Sequence, residues 1–141
     1  MKGIIITSHG PMAAGVVNTS RLFFGIQPQL KACCYEFDSD PQSFTEELKN
    51  AINEVDDGSG VIVLCDLLFG VPCDCLSRII SEDMPDRDIV VITGFNLMML
   101  LQILSIREAN DPDIGEVIRI GHSNIADLEQ VLSNNERYKK E

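Results

Sequence analysis

Short, uniformly apolar runs alternate along this chain with longer segments in which apolar residues recur at helical spacing. The clearest run, Val61–Cys65, reads VIVLC, which is typical of a central strand in a parallel sheet that is covered on both faces. Parallel neighbours need a crossover connection, usually a helix, and such crossovers are right-handed. The alternation therefore predicts a doubly wound α/β fold, with a mostly parallel sheet in flavodoxin-like order and helices on both faces.

The same periodicities place the other elements. We predict strands over residues 4–6, 30–37, 61–65, 89–92 and 116–120. Helices are expected to follow Pro11, to be capped by Ser43, to open at Pro72, to cover 97–104, and to be capped by Ser123 or Asn124. The segment 97–104 is apolar nearly all round, so we expect it to contact another subunit.

Length and composition limit the kind of protein this is. A chain of 141 residues has the usual size of one domain, so we expect a single domain over 1–141 with a flexible tail at 134–141. There are 22 acidic against 11 basic residues, a net charge of −11, which disfavours nucleic-acid binding because phosphates require a basic surface.

The sequence also indicates a compartment. No apolar run approaches the roughly 20 residues that cross a bilayer, and the N-terminal run is too short for a signal peptide. The five cysteines are odd in number and lie in apolar surroundings, which favours buried, reduced thiols over disulfides or a zinc site. We therefore expect a cytoplasmic protein.

Two polar residues directly follow predicted neighbouring strands. His9 follows the first strand and Asp66 follows the third, and the loops after parallel strands meet at the edge of the sheet where doubly wound folds bind ligands. A carboxylate that accepts one ring N–H fixes the tautomer of an imidazole and leaves the other nitrogen free as a nucleophile. A His and an Asp that the topology brings together can equally serve only the structure. The pattern alone therefore leaves open whether His9 and Asp66 have a chemical or a structural role.

The loop 66–72, reading DLLFGVP, is a candidate anion site. Gly70 permits an unusual backbone angle, and a helix beginning near Pro72 would point amide groups at Gly70 and Val71 toward the same place, which suits a phosphoryl group. A glycine shortly before a proline is equally an ordinary way to begin a helix.

Other familiar sites are missing. The chain has no GxGxxG or GxxxxGK[ST] fingerprint, and Ser8-His9-Gly10 stands where the metal site of an aspartate-phosphorylated receiver domain needs an acidic pair. We therefore expect no bound nucleotide, cofactor or metal. His122 lies in a predicted turn and is expected to be a surface residue without a functional role.

Three blocks together carry a family resemblance. Residues 4–10 (IIITSHG), 61–72 (VIVLCDLLFGVP) and 89–101 (IVVITGFNLMMLL) resemble, in order and spacing, the enzyme IIA domain of the mannose/fructose/sorbose class of the sugar phosphotransferase system. The resemblance covers residue 1 to about residue 107.

The resemblance implies a phosphotransferase component. In this family the histidine after the first strand, here His9, accepts phosphate from phospho-HPr and passes it to a histidine of a IIB unit, which serves the membrane IIC/IID transporter; the active-site aspartate falls on Asp66. No metal is required. The family also implies a homodimer that exchanges a C-terminal strand, which the predicted strand at 116–120 would supply.

The chain departs from the family pattern beside the proline of the second block. Family members usually carry Ser or Thr where this chain has Val71, so only the backbone amide remains there, and Cys73 and Asp74 replace Asn-type residues. Alternatives therefore stay open: a dihydroxyacetone-kinase-type phosphocarrier, a regulatory domain like those in transcriptional activators, or a binding module that has lost transfer. Since 141 residues leave no room for a fused IIB, we expect the next carrier to be a separate chain.

Overall fold

The computed structural model of the protein describes residues 1–134 and contains one parallel sheet. Its strand order is β2-β1-β3-β4, with every neighbouring pair parallel, which is the predicted flavodoxin-like order for four strands. The strands are β1 (Gly3–His9), β2 (Leu30–Tyr35), β3 (Val61–Cys65) and β4 (Ile89–Thr93).

Helices cover both faces of this sheet, as the apolar strands require. The helices are α1 (Met12–Phe24), α2 (Pro41–Val55), α3 (Val71–Arg78), which continues as a π-helical turn (Ile79–Asp83), α4 (Leu97–Ile106), α5 (Ile114–Ser123) and α6 (Leu128–Asn134). Along β1, Ile5 points into a core shared with α2 and α3, whereas Ile4 and Ile6 point into a core shared with α1, α4 and α5.

The fifth strand predicted over 116–120 is wrong, because these residues lie within α5. The Asp113 carboxylate caps this helix and accepts a hydrogen bond from the Glu116 amide at 3.1 Å. Val117 and Gly121, one helical turn apart, are its buried residues, and a Cβ at Gly121 would lie 2.6 Å from Sδ of Met99. Helical spacing and close packing on α4 therefore determine the structure of this segment.

Other boundaries also differ from the predictions, beginning with β1, which spans Gly3–His9 rather than 4–6 and therefore includes His9. The N-cap of α2 is Asp40 rather than Ser43. The Asp40 carboxylate accepts hydrogen bonds from the backbone amides of Gln42 and Ser43. The second strand ends at Tyr35, two residues earlier than predicted, and the last helix begins at Leu128 rather than directly after Asn124. The tail predicted to be flexible begins at residue 134. Asn134 is the last residue of α6, and residues 135–141 lie outside the described residues.

Within residues 1–134, no helix combines the length and the apolar character that crossing a membrane would require.

Candidate functional site

His9 and Asp66 meet at the carboxyl edge of the sheet, as predicted. His9 is the last residue of β1, and Asp66 directly follows β3, whose Cys65 lies opposite Thr7 in the register. The Asp66 amide donates to the Thr7 carbonyl at 3.2 Å, which extends the pairing of the two strands by one step. The parallel pairing therefore brings the two side chains together.

One carboxylate oxygen of Asp66 holds His9 at two points. Oδ2 accepts the backbone amide of His9 at 2.9 Å and lies 2.9 Å from Nδ1 of the imidazole. An ionised carboxylate only accepts hydrogen bonds, so Nδ1 carries the proton in the neutral ring and Nε2 keeps its lone pair. This tautomer has a nucleophilic nitrogen on the side away from Asp66.

Asp66 is ionised in this position despite being largely buried. Burial opposes its charge, but hydrogen bonds from the His9 amide and imidazole and from the Leu67 amide outweigh that effect and lower the pKa of Asp66 below its usual range. The Asp66 side chain is 9% exposed, whereas the His9 side chain is 41% exposed. The site thus combines a shielded anion with an imidazole open to a partner.

Gly70 forms a wall of the site through its backbone. Its φ of 153° is a conformation that side chains disfavour, and a Cβ there would lie 2.8 Å from Cε1 and 3.1 Å from Nε2 of His9. Gly70 is also the residue before the first turn of α3, which has no side-chain cap. The positive end of the α3 dipole, at Val71, therefore lies beside the free nitrogen of His9.

The rim of the site is apolar. Leu67, Leu68 and Phe69 follow Asp66 and are all exposed, Phe69 by 81%. The loop that contains these residues contacts α3 through Cys73, whose thiol donates a hydrogen bond to the Leu68 carbonyl at 2.6 Å. Exposed apolar side chains next to a reactive group are typical of a surface that contacts another macromolecule.

One contact of His9 was not predicted. The ring of Tyr35, the last residue of β2, lies edge to face with the imidazole at a centroid distance of 6.2 Å and an interplanar angle of 84°. His9 and Tyr35 are paired in the parallel ladder of β1 and β2, a register that the apolar pattern of the sequence leaves open.

The other candidate residues lie elsewhere. His122 is exposed in the last turn of α5 and lines a separate cavity of about 430 Å³ beside β4, together with Thr93, Asn96 and Ile125. Asp74 is exposed in the first turn of α3. Neither contributes to the contacts described above for His9.

The arrangement places the free nitrogen of the His9 imidazole beside the N-terminus of α3. An imidazole with one nitrogen anchored and the other free, next to a helix N-terminus and an exposed backbone, can attack an electrophilic centre that carries negative oxygens. A phosphoryl group has this character, and the transfer needs positioning and electrostatic stabilisation more than covalent assistance.

Known proteins are similar to this chain in sequence and in fold. Residues 3–120 match the family described as EIIA-man, PTS system fructose IIA component, and this range spans both His9 and Asp66. The PTS system fructose-specific EIIA component of Bacillus subtilis (strain 168) is 28% identical over 108 residues, which are 77% of this chain and 72% of the relative.

Two solved structures superimpose closely. The PTS IIA protein associated with the fucose utilization operon from Streptococcus pneumoniae gives a TM-score of 0.83 at 27% identity, covering 93% of this chain and 96% of that one. The phosphotransferase system component EIIA from Streptococcus agalactiae gives a TM-score of 0.81 at 25% identity, covering 92% and 99%.

Proposed function

Since the chain belongs to the PTS system fructose IIA component family, we propose that it is a single-domain phosphoryl carrier that loads phosphate on His9. The observation that carries the proposal is the anchored imidazole: Asp66 holds Nδ1 at 2.9 Å, and Nε2 faces the Gly70 backbone. The donor is an HPr-like phosphohistidine protein and the acceptor is a histidine of a IIB component.

The transfer is an in-line exchange between imidazoles. The lone pair of His9 Nε2 forms the new P–N bond while the P–N bond of the donor phosphohistidine breaks, and its electron pair returns to the donor ring. The His9 ring then carries positive charge, which the Asp66 carboxylate offsets at Nδ1. Passing phosphate to IIB repeats the exchange, with His9 as the leaving group, so no water, metal or cofactor takes part.

The phosphoryl oxygens are stabilised by backbone groups in this proposal. The amide of Val71 and the N-terminal end of α3 provide positive potential beside Nε2. Val71 offers no hydroxyl, in contrast to the Ser or Thr usual in the family. Stabilisation here therefore depends on the position of the backbone, which Gly70 permits.

The partners that we propose match the surface around the site. The exposed side chains of Leu67, Leu68 and Phe69 supply an apolar contact, and the net charge of −11 favours encounter with basic faces of HPr-like and IIB proteins. A carrier that exchanges phosphate with these partners would act in the cytoplasm. It would be peripheral to a membrane IIC/IID transporter that takes up the sugar.

We further propose that the protein is a homodimer. Among residues 1–134 the outer edge of β4 is not paired with another strand, and the cavity beside it that His122 lines also presents the apolar side chains of Val91, Ile92, Ile118 and Ile125. An unpaired edge with apolar neighbours is a surface that a second chain can cover. Light scattering after gel filtration tests this directly, because a monomeric mass at micromolar concentration contradicts the dimer.

The experiment for the carrier function is phosphorylation by purified components. The protein is incubated with labelled phosphoenolpyruvate, enzyme I and HPr, and an acid-labile label is expected on the wild type and on His122→Ala, but not on His9→Ala. The label should then pass to a IIB protein.

Each other outcome has a clear meaning. An unlabelled wild type contradicts the carrier and favours a binding module without transfer. Label on the His9→Ala variant would mean that a residue other than His9 accepts the phosphoryl group. A labelled protein that never passes its phosphate to IIB favours a regulatory role.

A further inference from the structure

The backbone places Tyr35 directly beside His9. The two residues are partners in the parallel register of β1 and β2, each at the end of its strand. The amide of Gly10, which follows His9, donates to the Tyr35 carbonyl at 2.8 Å. This hydrogen bond continues the pairing of β1 and β2 past His9 and Tyr35, so the backbone holds the two residues side by side.

The Tyr35 ring is itself anchored in the core. It contacts Phe44 at a centroid distance of 5.2 Å and an interplanar angle of 73°, and Phe44 is only 1% exposed. Perpendicular aromatic pairs at such distances are attractive beyond the area that they bury. A chain of edge-to-face contacts thus leads from the core residue Phe44 through Tyr35 to the imidazole of His9.

Contacts with Asp66 and Gly70 alone do not fix the orientation of the imidazole. The bond to Asp66 fixes Nδ1, but a ring held at one atom can still swing about that point. The Gly70 backbone limits this movement beside Cε1 and Nε2. Tyr35 supplies a further wall, although the His9 side chain is 41% exposed.

We propose that Tyr35 is a positioning residue for His9, holding the imidazole in the orientation in which Nε2 accepts and releases the phosphoryl group. The inference rests on the proposed carrier function. The ring performs this role rather than the hydroxyl, since the phenol oxygen forms no hydrogen bond within residues 1–134. Pre-orientation of a nucleophile lowers the barrier of transfer without strengthening the binding of the donor.

The first test uses the unphosphorylated protein, so it does not depend on the carrier function. The chain has two histidines, and nitrogen-15 NMR therefore reports His9 together with His122 as an internal control. In Tyr35→Leu we expect His9 to lose part of its Nδ1-protonated tautomer and to show faster ring motion, with His122 unchanged. Tyr35→Phe should match the wild type, as should Phe24→Leu, the same type of change outside the site.

The second test is steady-state transfer from phospho-HPr. Tyr35→Leu should lower kcat about three- to tenfold with KM for phospho-HPr unchanged, whereas Tyr35→Phe keeps wild-type values. If Tyr35→Leu does not fold, as a shifted His122 signal would reveal, Tyr35→Met takes its place in both measurements.

Three results overturn the inference. One is a His9 spectrum in Tyr35→Leu identical to that of the wild type, and another is a change in KM alone, which would make Tyr35 a docking residue. The third is a loss in Tyr35→Phe equal to that in Tyr35→Leu, which would assign the effect to the hydroxyl. A wild type that is never phosphorylated removes the proposed function instead, and the NMR comparison still decides whether Tyr35 orients His9.

Discussion

Oδ2 of Asp66 accepts both the backbone amide and the Nδ1 proton of His9, each at 2.9 Å. A single oxygen atom thereby ties the orientation of the imidazole to the position of its own main chain. Rotation of the ring away from the site requires the loss of a charge-assisted hydrogen bond, which is worth about 1.5–3 kcal/mol in proteins.

Replacing this oxygen should slow transfer. In Asp66→Asn the amide cannot offset the positive charge that the His9 ring gains with the phosphoryl group, so we expect a loss of about ten- to a hundredfold in the single-turnover rate from phospho-HPr. Rapid-quench measurements check this. Asp86→Asn, an exposed carboxylate in the turn before β4, is the matched control and should transfer at the wild-type rate. Equal rates for Asp66→Asn and the wild type would remove Asp66 from the mechanism.

The same carboxylate should make stability depend on pH. Its pKa is lowered in the folded state, so its contribution is fully present above the unfolded value of about 3.9 and is lost as the pH falls through the folded pKa. The difference in free energy of unfolding between wild type and Asp66→Asn should therefore shrink as the pH falls below the unfolded pKa and through the lower pKa of the folded state. Urea titrations at several pH values measure it, and a constant difference would contradict the ionised state of Asp66.

A side chain at position 70 should damage the site more than the fold. In Gly70→Ala the new methyl collides with Cε1 and Nε2 of His9, and the backbone angle becomes strained by about 1–3 kcal/mol. Gly25→Ala is the matched control, since Gly25 also has a positive φ, of 70°, and a Cβ there meets nothing within 4 Å. Both variants should lose stability in thermal unfolding, but only Gly70→Ala should lose phosphorylation. Full labelling of folded Gly70→Ala would show that the imidazole does not need this close backbone.

The cysteines should differ sharply in reactivity. Burial raises the pKa of Cys33 and of Cys65 to about 12, and Cys75 is buried as well, whereas Cys34 and Cys73 are partly exposed. An aromatic disulfide reagent at about pH 8 should titrate two thiols rapidly in the native protein and all five after unfolding. Rapid reaction of Cys65 would mean that the end of β3 beside Asp66 opens in solution.

The sheet and the central pair of the site could be predicted because they depend on few assumptions. An apolar run such as Val61–Cys65 is typical of a covered strand, and parallel topology then brings the residues after β1 and β3 to one edge. The proximity of His9 and Asp66 required one further assumption, the flavodoxin-like order in which β1 and β3 are neighbours, and the structure has that order.

The segment 116–120 could not be assigned in this way. Its sequence, EVIRI, is short enough to fit both the alternation of a strand and the spacing of a helix. The choice depends on contacts outside the window: the Asp113 cap on one side and the packing of Gly121 against Met99 on the other. Asp113 and Glu116 are spaced as in a capping motif, which was the one available local signal.

The contact between Tyr35 and His9 was missed for a different reason. It requires the register of β2 against β1, and a shift of one residue would turn the Tyr35 side chain to the opposite face. Apolar runs indicate that strands exist but leave their alignment open. Residues that depend on register are therefore the part of a site that a single sequence conceals.

The two hydrogen bonds between His9 and Asp66 close a loop of 57 residues, and this separation has a consequence for folding. Contacts so far apart in sequence carry a large chain-entropy cost and form only when the intervening elements have collapsed together. During synthesis His9 leaves the ribosome well before Asp66 and Gly70 do. The nascent chain thus displays its histidine long before that residue has the geometry of the proposed phosphate acceptor, so under that proposal phosphorylation of His9 would report completed folding.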